Sequence, residues 1–301
     1  MKLHKITSLI AAAATLCTIS AMTSQAQAAE LYKGWNYSID AVNDGSGGSA
    51  YDIRGIAIKE EGDQIIVALT GGASVAGVAY SSARNGNIGW GDMFFNFSGK
   101  SFAEANASGS LFGVRFAGTN DSGAASVGVY SNVKATSVAL ANSGYSSLQQ
   151  YYDHGFNSND QKAQGDLNTR ADVKNYYGNN GTGPINNVIS AGTKVGEVSS
   201  LTSTVLAAAG LDFGHFAASG SQTFAFSFSK SAFGNSLGAY IANVFMECGN
   251  DGTAIKSSFT AGGGNPAQAP EPAEIAGTAL AVLGFAGMKL RQRRQGKVNL
   301  A

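Results

Sequence analysis

Gln222-Thr223-Phe224-Ala225-Phe226-Ser227-Phe228-Ser229-Lys230 decides the fold class of this chain. Spacing by two puts three phenyl rings on one face of an extended segment, with Thr223, Ala225, Ser227 and Ser229 on the other. That alternation predicts a strand in a sheet with one buried side. Outward from it, residues 64–70, 92–97, 110–116, 126–130 and 132–138 are short runs rich in β-branched or aromatic side chains, bounded by Gly, Asn, Asp and Ser. Residues 239–247 add an apolar strand that ends in a Gly-Asn-Asp-Gly turn at 249–252. Two helices are expected, over 146–153 and over 200–209, the second capped by Ser200 and ended by Gly210. The Asn-, Asp- and Gly-rich stretch 154–183 reads as a long loop on the rim. The expected fold is mainly β: an antiparallel β-sandwich of jelly-roll type with one or two short helices.

Composition agrees with a packed β domain. The 301 residues carry 20 Lys plus Arg against 20 Asp plus Glu, and charged residues are 13% of the chain. Nothing in that balance marks a nucleic-acid binder. Glycine supplies 40 residues, about twice the usual share, while proline supplies 4 and no fixed period recurs. Collagen, propeller and solenoid architectures are therefore not indicated.

The charges are unevenly placed. Lys2 and Lys5 precede an apolar run over 6–19, and Ala26-Gln27-Ala28 offers the small residues that signal peptidase reads, so a signal peptide over 1–28 is expected. At the other end, Pro270-Glu271-Pro272 closes a linker over 262–272. An apolar stretch over 275–288 follows, then Lys289, Arg291, Arg293, Arg294 and Lys297. Those cations place a basic tail over 291–301 on the cytoplasmic side of a single membrane helix over 273–290. That helix is short for a span, and Gly277, Gly284 and Gly287 give it a smooth contact face, which suits a transient anchor. Between the signals, 29–261 forms the extracytoplasmic domain. It holds 13 cations against 19 acids when the linker is included, and is mildly acidic.

The triplet, the short Gly/Ala/Leu-rich helix and the terminal Arg cluster together resemble the sorting signal of PEP-CTERM proteins, the exosortase-dependent class of bacterial surface proteins. Trp35-Asn36-Tyr37-Ser38-Ile39, Gly91-Asp92-Met93-Phe94-Phe95-Asn96-Phe97 and Met246-Glu247-Cys248-Gly249-Asn250-Asp251-Gly252 resemble stretches of a cyanobacterial family within that class. The resemblance implies export, processing near the triplet by a membrane-embedded transpeptidase-like exosortase, and a setting rich in exopolysaccharide. It supplies no reaction and no catalytic residue.

Motifs of catalysis are incomplete. Gly234-Asn235-Ser236-Leu237-Gly238 matches a nucleophile elbow, but no histidine follows it and a strand is expected after it. Gly99-Lys100-Ser101 resembles the end of a P-loop, but Phe94 stands where the first glycine belongs, so a hairpin turn is expected. Gly45-Ser46-Gly47-Gly48-Ser49-Ala50 leads into a strand-like run over 51–59 and offers no helix N-terminus to a pyrophosphate. His154, His215 and Cys248 do not fill a zinc shell, and Cys248 reads as a core residue. No metal site is assigned. Calcium is left open only on the polar loop, where Asp153, Asn157, Asn159, Asp160, Asp166 and Asn168 crowd without EF-hand spacing. Tyr145, Tyr151, Tyr152, Tyr176 and Tyr177 would stack on sugar rings if they lined that rim. The leading expectation is a non-enzymatic cell-surface or extracellular-matrix protein, associated with exopolysaccharide. The alternative is a secreted carbohydrate-active enzyme, or a calcium-dependent sugar-binding module, on a jelly-roll scaffold.

Overall fold

The computed structural model describes residues 29–156 and 163–260. The expected signal peptide with Ala26 and Ala28, the Pro270-Glu271-Pro272 triplet, the membrane helix over 273–290 and the tail with Arg291, Arg293 and Arg294 lie outside the described residues. Among the described residues no helix is long and apolar enough to cross a membrane.

The chain is mainly β, with two six-stranded antiparallel sheets. The first contains β1 (Glu30–Tyr32), β2 (Trp35–Ile39), β3 (Ile53–Glu61) and β4 (Gln64–Gly71) as a meander. A two-stranded hairpin follows, β5 (Val78–Ala79) with β6 (Asn87–Ile88). The second sheet begins with β7 (Met93–Asn96), β8 (Leu111–Arg115), β9 (Gly128–Thr136) and β10 (Val188–Gly196). The chain then returns to the first sheet with β11 (Ser199–Leu201) and β12 (Gln222–Ser229), and finishes in the second with β13 (Ala239–Phe245) and β14 (Gly252–Ser258). The resulting orders are β1-β2-β3-β4-β12-β11 and β10-β9-β8-β7-β13-β14.

The phenylalanine alternation places β12 as the sequence predicts. Phe224, Phe226 and Phe228 lie opposite Leu69, Val67 and Ile65 of β4, whose neighbours on β3 include Ile56 and Ile58. These side chains share one apolar cluster with Met93, Phe95, Val114, Val129, Ala242 and Val244 of the second sheet. Phe116 stacks on Phe226 with centroids 4.7 Å apart, and Phe95 meets Phe228 at 6.0 Å and Phe233 at 5.0 Å. Burying each ring contributes about 1.5–3 kcal/mol.

The other face of β12 departs from expectation. Ala225 is buried with Ala57, Ala68, Ile66, Trp35 and Tyr37 under Leu206 and Phe213. In the sequence Ala225 reads as part of the face away from the buried side. Here Ala225, Ala57 and Ala68 are the hollow into which Leu206 of α4 (Ser203–Ala208) packs. Trp35 Nε1 donates to the Ala209 carbonyl at 2.8 Å and locks that cover down. On the second sheet, Phe94, Leu111, Tyr130, Val133, Ile189 and Phe245 are covered by α1 (Phe102–Ser108), α2 (Leu148–His154) and α3 (Arg170–Tyr177).

Local chemistry accounts for four further differences. The 154–183 segment is not one loop, because Thr169 and Asp172 form a reciprocal capping box that starts α3. Gly99-Lys100-Ser101 opens no hairpin, because Ser101 and Glu104 cap α1 in the same way. Ser200 lies in β11, and Thr202 caps α4. Finally, 126–130 and 132–138 are not two strands but parts of β9. The break between them is Asn132 at φ 53, flanked by register shifts against both β8 and β10.

Candidate functional site

Three buried carboxylates meet at one end of the first sheet. Asp40 follows β2 directly, Asp44 lies four residues on in the connection to β3, and Asp251 sits in the turn between β13 and β14. One ligand atom from each lies within 4.8 Å of the others. Asp40, Asp44 and Asp251 are 2%, 1% and 0% exposed.

Backbone contacts fix this convergence. Asp251 Oδ2 accepts from the Ile53 amide at 2.6 Å, and Oδ1 accepts from the Gly252 amide at 2.6 Å. The turn after β13 is thereby tied to the first residue of β3. Asp40 Oδ1 accepts from the Gly165 amide at 2.7 Å, and Asp40 Oδ2 has no hydrogen-bond partner. The Asp44 carbonyl accepts from the Tyr151 hydroxyl at 2.9 Å, which brings α2 to the same place. The segment supplying Gly165 is a tight turn bridged between Gln164 and Leu167 and docked on β14 through the Asp166 amide and the Ala254 carbonyl, 3.0 Å. Gly165 is required there. Its φ is 51°, and a Cβ would stand 2.4 Å from the Ala254 carbonyl oxygen and 2.5 Å from Ser38 Oγ.

Two uncharged buried side chains flank the Gly165 turn whose amide holds Asp40. Gln164, 0% exposed, has neither amide oxygen nor nitrogen hydrogen-bonded. Thr253, also 0% exposed, has an unpartnered hydroxyl 2.8 Å from where a Gly165 Cβ would be. Buried polar atoms are nearly always paired, so several orphans in one place call for an explanation.

The electrostatics point the same way. Burial, then the Asp44 carboxylate, pushes Asp40 well above the ordinary carboxyl range, against the opposing pull of the Gly165 amide. Burial, then Asp44 and Asp40, pushes Asp251 in the same direction. Burial first, and these carboxylates after it, also raise the Tyr151 and Tyr152 hydroxyls. Among the described residues neither Asp40 nor Asp251 takes part in an ion pair, and the neighbouring Arg54 pairs with Asp52. The trio therefore has two chemical options, to bind protons or to bind a hard cation through oxygen.

A second buried pair of carboxylates is arranged differently. Asp92, just before β7, accepts from Asn120 Nδ2 at 2.8 Å, Ser122 Oγ at 2.5 Å and the Ile189 amide at 2.7 Å. Glu247 accepts from the Gly89 amide at 2.7 Å and from the Asp121 amide. Burial pushes Glu247 up to about 7 despite those two amides. Both side chains bind loops to the second sheet and have their acceptors filled.

The residues singled out in the sequence are scattered. Tyr151, Tyr152 and Tyr176 are buried, and Tyr145 and Tyr177 half-buried, in the apolar cluster beneath the helices, so they form no exposed stacking rim. His154 is exposed at the end of α2, while His215 stacks on Tyr32 with centroids 3.8 Å apart. Cys248 is a free, fully buried thiol, and burial pushes it up to about 12. Ser236 is exposed in the turn before β13. Of the polar-loop oxygens, Asp153 accepts from Gln149 Nε2 at 2.6 Å and Asp166 from the Lys256 amide at 2.8 Å, whereas Asn157, Asn159 and Asp160 lie outside the described residues. Sequence reading missed the trio because Asp40 and Asp44 belong to no motif and Asp251 is 207 or more positions away from them in the chain. Only the Gly-Asn-Asp-Gly turn was marked, and as a turn. No protein-family model matches this chain, and no curated protein or solved structure is significantly similar to it.

Proposed function

We propose that this chain is an exported cell-surface or extracellular-matrix protein, sorted through a PEP-CTERM-type tail and lodged without catalysis among exopolysaccharides. The observation that carries the reading is the order Pro270-Glu271-Pro272, short apolar stretch, then Arg291, Arg293 and Arg294 at the C-terminus. Signal peptidase would act after Ala28 and exosortase near the triplet, leaving the membrane helix as a transient anchor.

The body supports this division of labour. Its two antiparallel sheets share one apolar core, a packing that supports a compact exported body. Its two ends meet: the Ala29 amide donates to the Lys256 carbonyl at 3.3 Å. Thr260 is pinned by its amide and hydroxyl to Glu60, at 3.1 and 2.8 Å, and Glu60 also forms a buried ion pair with Lys230. Processing at either end would leave those contacts intact.

The test is Glu271→Ala in a host that encodes an exosortase. Export should continue while full-length protein accumulates in the membrane fraction. Normal processing of the variant would remove the central residue from the sorting reading.

A further inference from the structure

We propose that Asp40, Asp44 and Asp251, with the side chains of Gln164 and Thr253, form a calcium site that clamps three distant segments of the body together. This goes beyond the sorting reading and does not depend on it. Three carboxylates within 4.8 Å of one another, all buried, repel unless a positive charge lies among them. The orphaned Asp40 Oδ2 belongs to the trio itself, and the orphaned Gln164 Oε1 and Thr253 Oγ1 beside the Gly165 turn are the further oxygen acceptors such an ion would use. Gln164 and Thr253 are tied to the cluster through Gly165, whose amide holds Asp40 and whose Cα faces the Thr253 hydroxyl.

The donor set selects the ion. It offers carboxylate, amide and hydroxyl oxygens, and the trio itself brings neither a histidine nitrogen nor a cysteine sulfur, which disfavours zinc. Magnesium demands strict octahedral geometry and keeps several waters, whereas these three carboxylates are closed over by protein. Calcium accepts six to eight oxygens in flexible geometry, which bidentate carboxylates from three loops can supply. The mechanical consequence follows from where the ligands come from. The Asp40 to Gly165 bond spans 125 positions and the Asp251 to Ile53 bond 198, so one ion would hold the start, middle and end of the body.

The full-length chain, stripped with EDTA, is titrated with calcium chloride by calorimetry and melted with calcium or with EDTA. One binding event is expected, and at a hundredfold excess over Kd the melting midpoint should rise by about 5–10 °C. Magnesium chloride should give a much smaller shift. Asp251→Asn should abolish the calcium shift, and in EDTA its midpoint should fall below that of the parent chain, because its NH2 then faces the Ile53 or Gly252 N–H while only part of that loss is offset by the relieved repulsion. Thr253→Val keeps all three charges and should weaken calcium binding about tenfold, which serves if the aspartate variant fails to fold. An unchanged midpoint and no binding heat in the parent chain would overturn the proposal. So would a full calcium shift retained in both Asp251→Asn and Thr253→Val, or a magnesium shift equal to that of calcium.

Discussion

The two buried carboxylate clusters, Asp92 with Glu247 and Asp40 with Asp44 and Asp251, flank the same turn after β13 and differ in what meets their oxygens. In the first, amides and side-chain donors from Gly89, Asn120, Asp121, Ser122 and Ile189 fill the acceptors. In the second, the Gly165, Ile53 and Gly252 amides reach part of the set, while Asp40 Oδ2, Gln164 and Thr253 are left over. Burial raises Asp92 and Glu247 as it raises Asp40 and Asp251, so burial alone does not tell a loop staple from a ligand site. Donor satisfaction does.

The largest effect should come from breaking the satisfied cluster. Asp92→Ala strands the Ile189 amide, Asn120 Nδ2 and Ser122 Oγ in the interior. A loss of about 3–5 kcal/mol in urea unfolding is expected, enough to unfold a marginal domain. By contrast, Asp40→Asn in EDTA should cost little, because it removes one of three mutually repelling charges. If Asp92→Ala costs less than about 1 kcal/mol, the contrast between the clusters fails.

A smaller effect is expected where the orphaned cluster gets its geometry. Gly165→Ala places a methyl group against the Ala254 carbonyl and Ser38 Oγ in a left-handed backbone position. The 163–167 turn must shift off β14, which removes the amide from Asp40. A destabilisation of about 2–3 kcal/mol is expected, with calcium binding weakened alongside it. Loss of stability with calcium affinity intact would separate the turn from the site.

The sequence made some of this legible and hid the rest for physical reasons. Phe224, Phe226 and Phe228 announce β12 because a large apolar side chain at period two has one economical arrangement. Ala225 hides its own burial, since alanine fits a solvent face and a packed hollow equally well. α3 begins at a Thr169–Asp172 capping box that goes unread among the Asn and Gly residues around it. The tyrosines were visible as a cluster, yet their amphipathic character left open which end faces water, and the helices close over them. The trio was hidden most completely. Its members come together only because the β13–β14 turn of the second sheet is tied to the start of β3 in the first, beside the β2–β3 connection, and that is a property of topology rather than of spacing.

The smallest effect separates the clusters by pH. Both hold carboxyls whose folded pKa is raised, so both contribute stability that is present below the unfolded value and lost as pH rises through the folded one. For Glu247 that window runs from the ordinary carboxyl value to about 7, with Asp121 and Asp92 as its charged neighbours. For Asp40 and Asp251 the direction is the same, with Asp44 and Asp52 beside them, Arg54 on Asp52, and Tyr151 and Tyr152 opposite. In EDTA, unfolding free energy should therefore fall as pH rises from the ordinary carboxyl value to about 7, by at most about 1.4 kcal/mol per pH unit for each extra proton that the folded state holds. Saturating calcium displaces the protons of the trio and should remove its share of the slope, leaving that of Glu247. Glu247→Gln should remove the remainder while costing a constant amount for the amide that then faces an N–H. If calcium leaves the slope unchanged in the parent chain and in Glu247→Gln alike, the trio does not exchange protons for the ion, and the distinction between the two clusters falls.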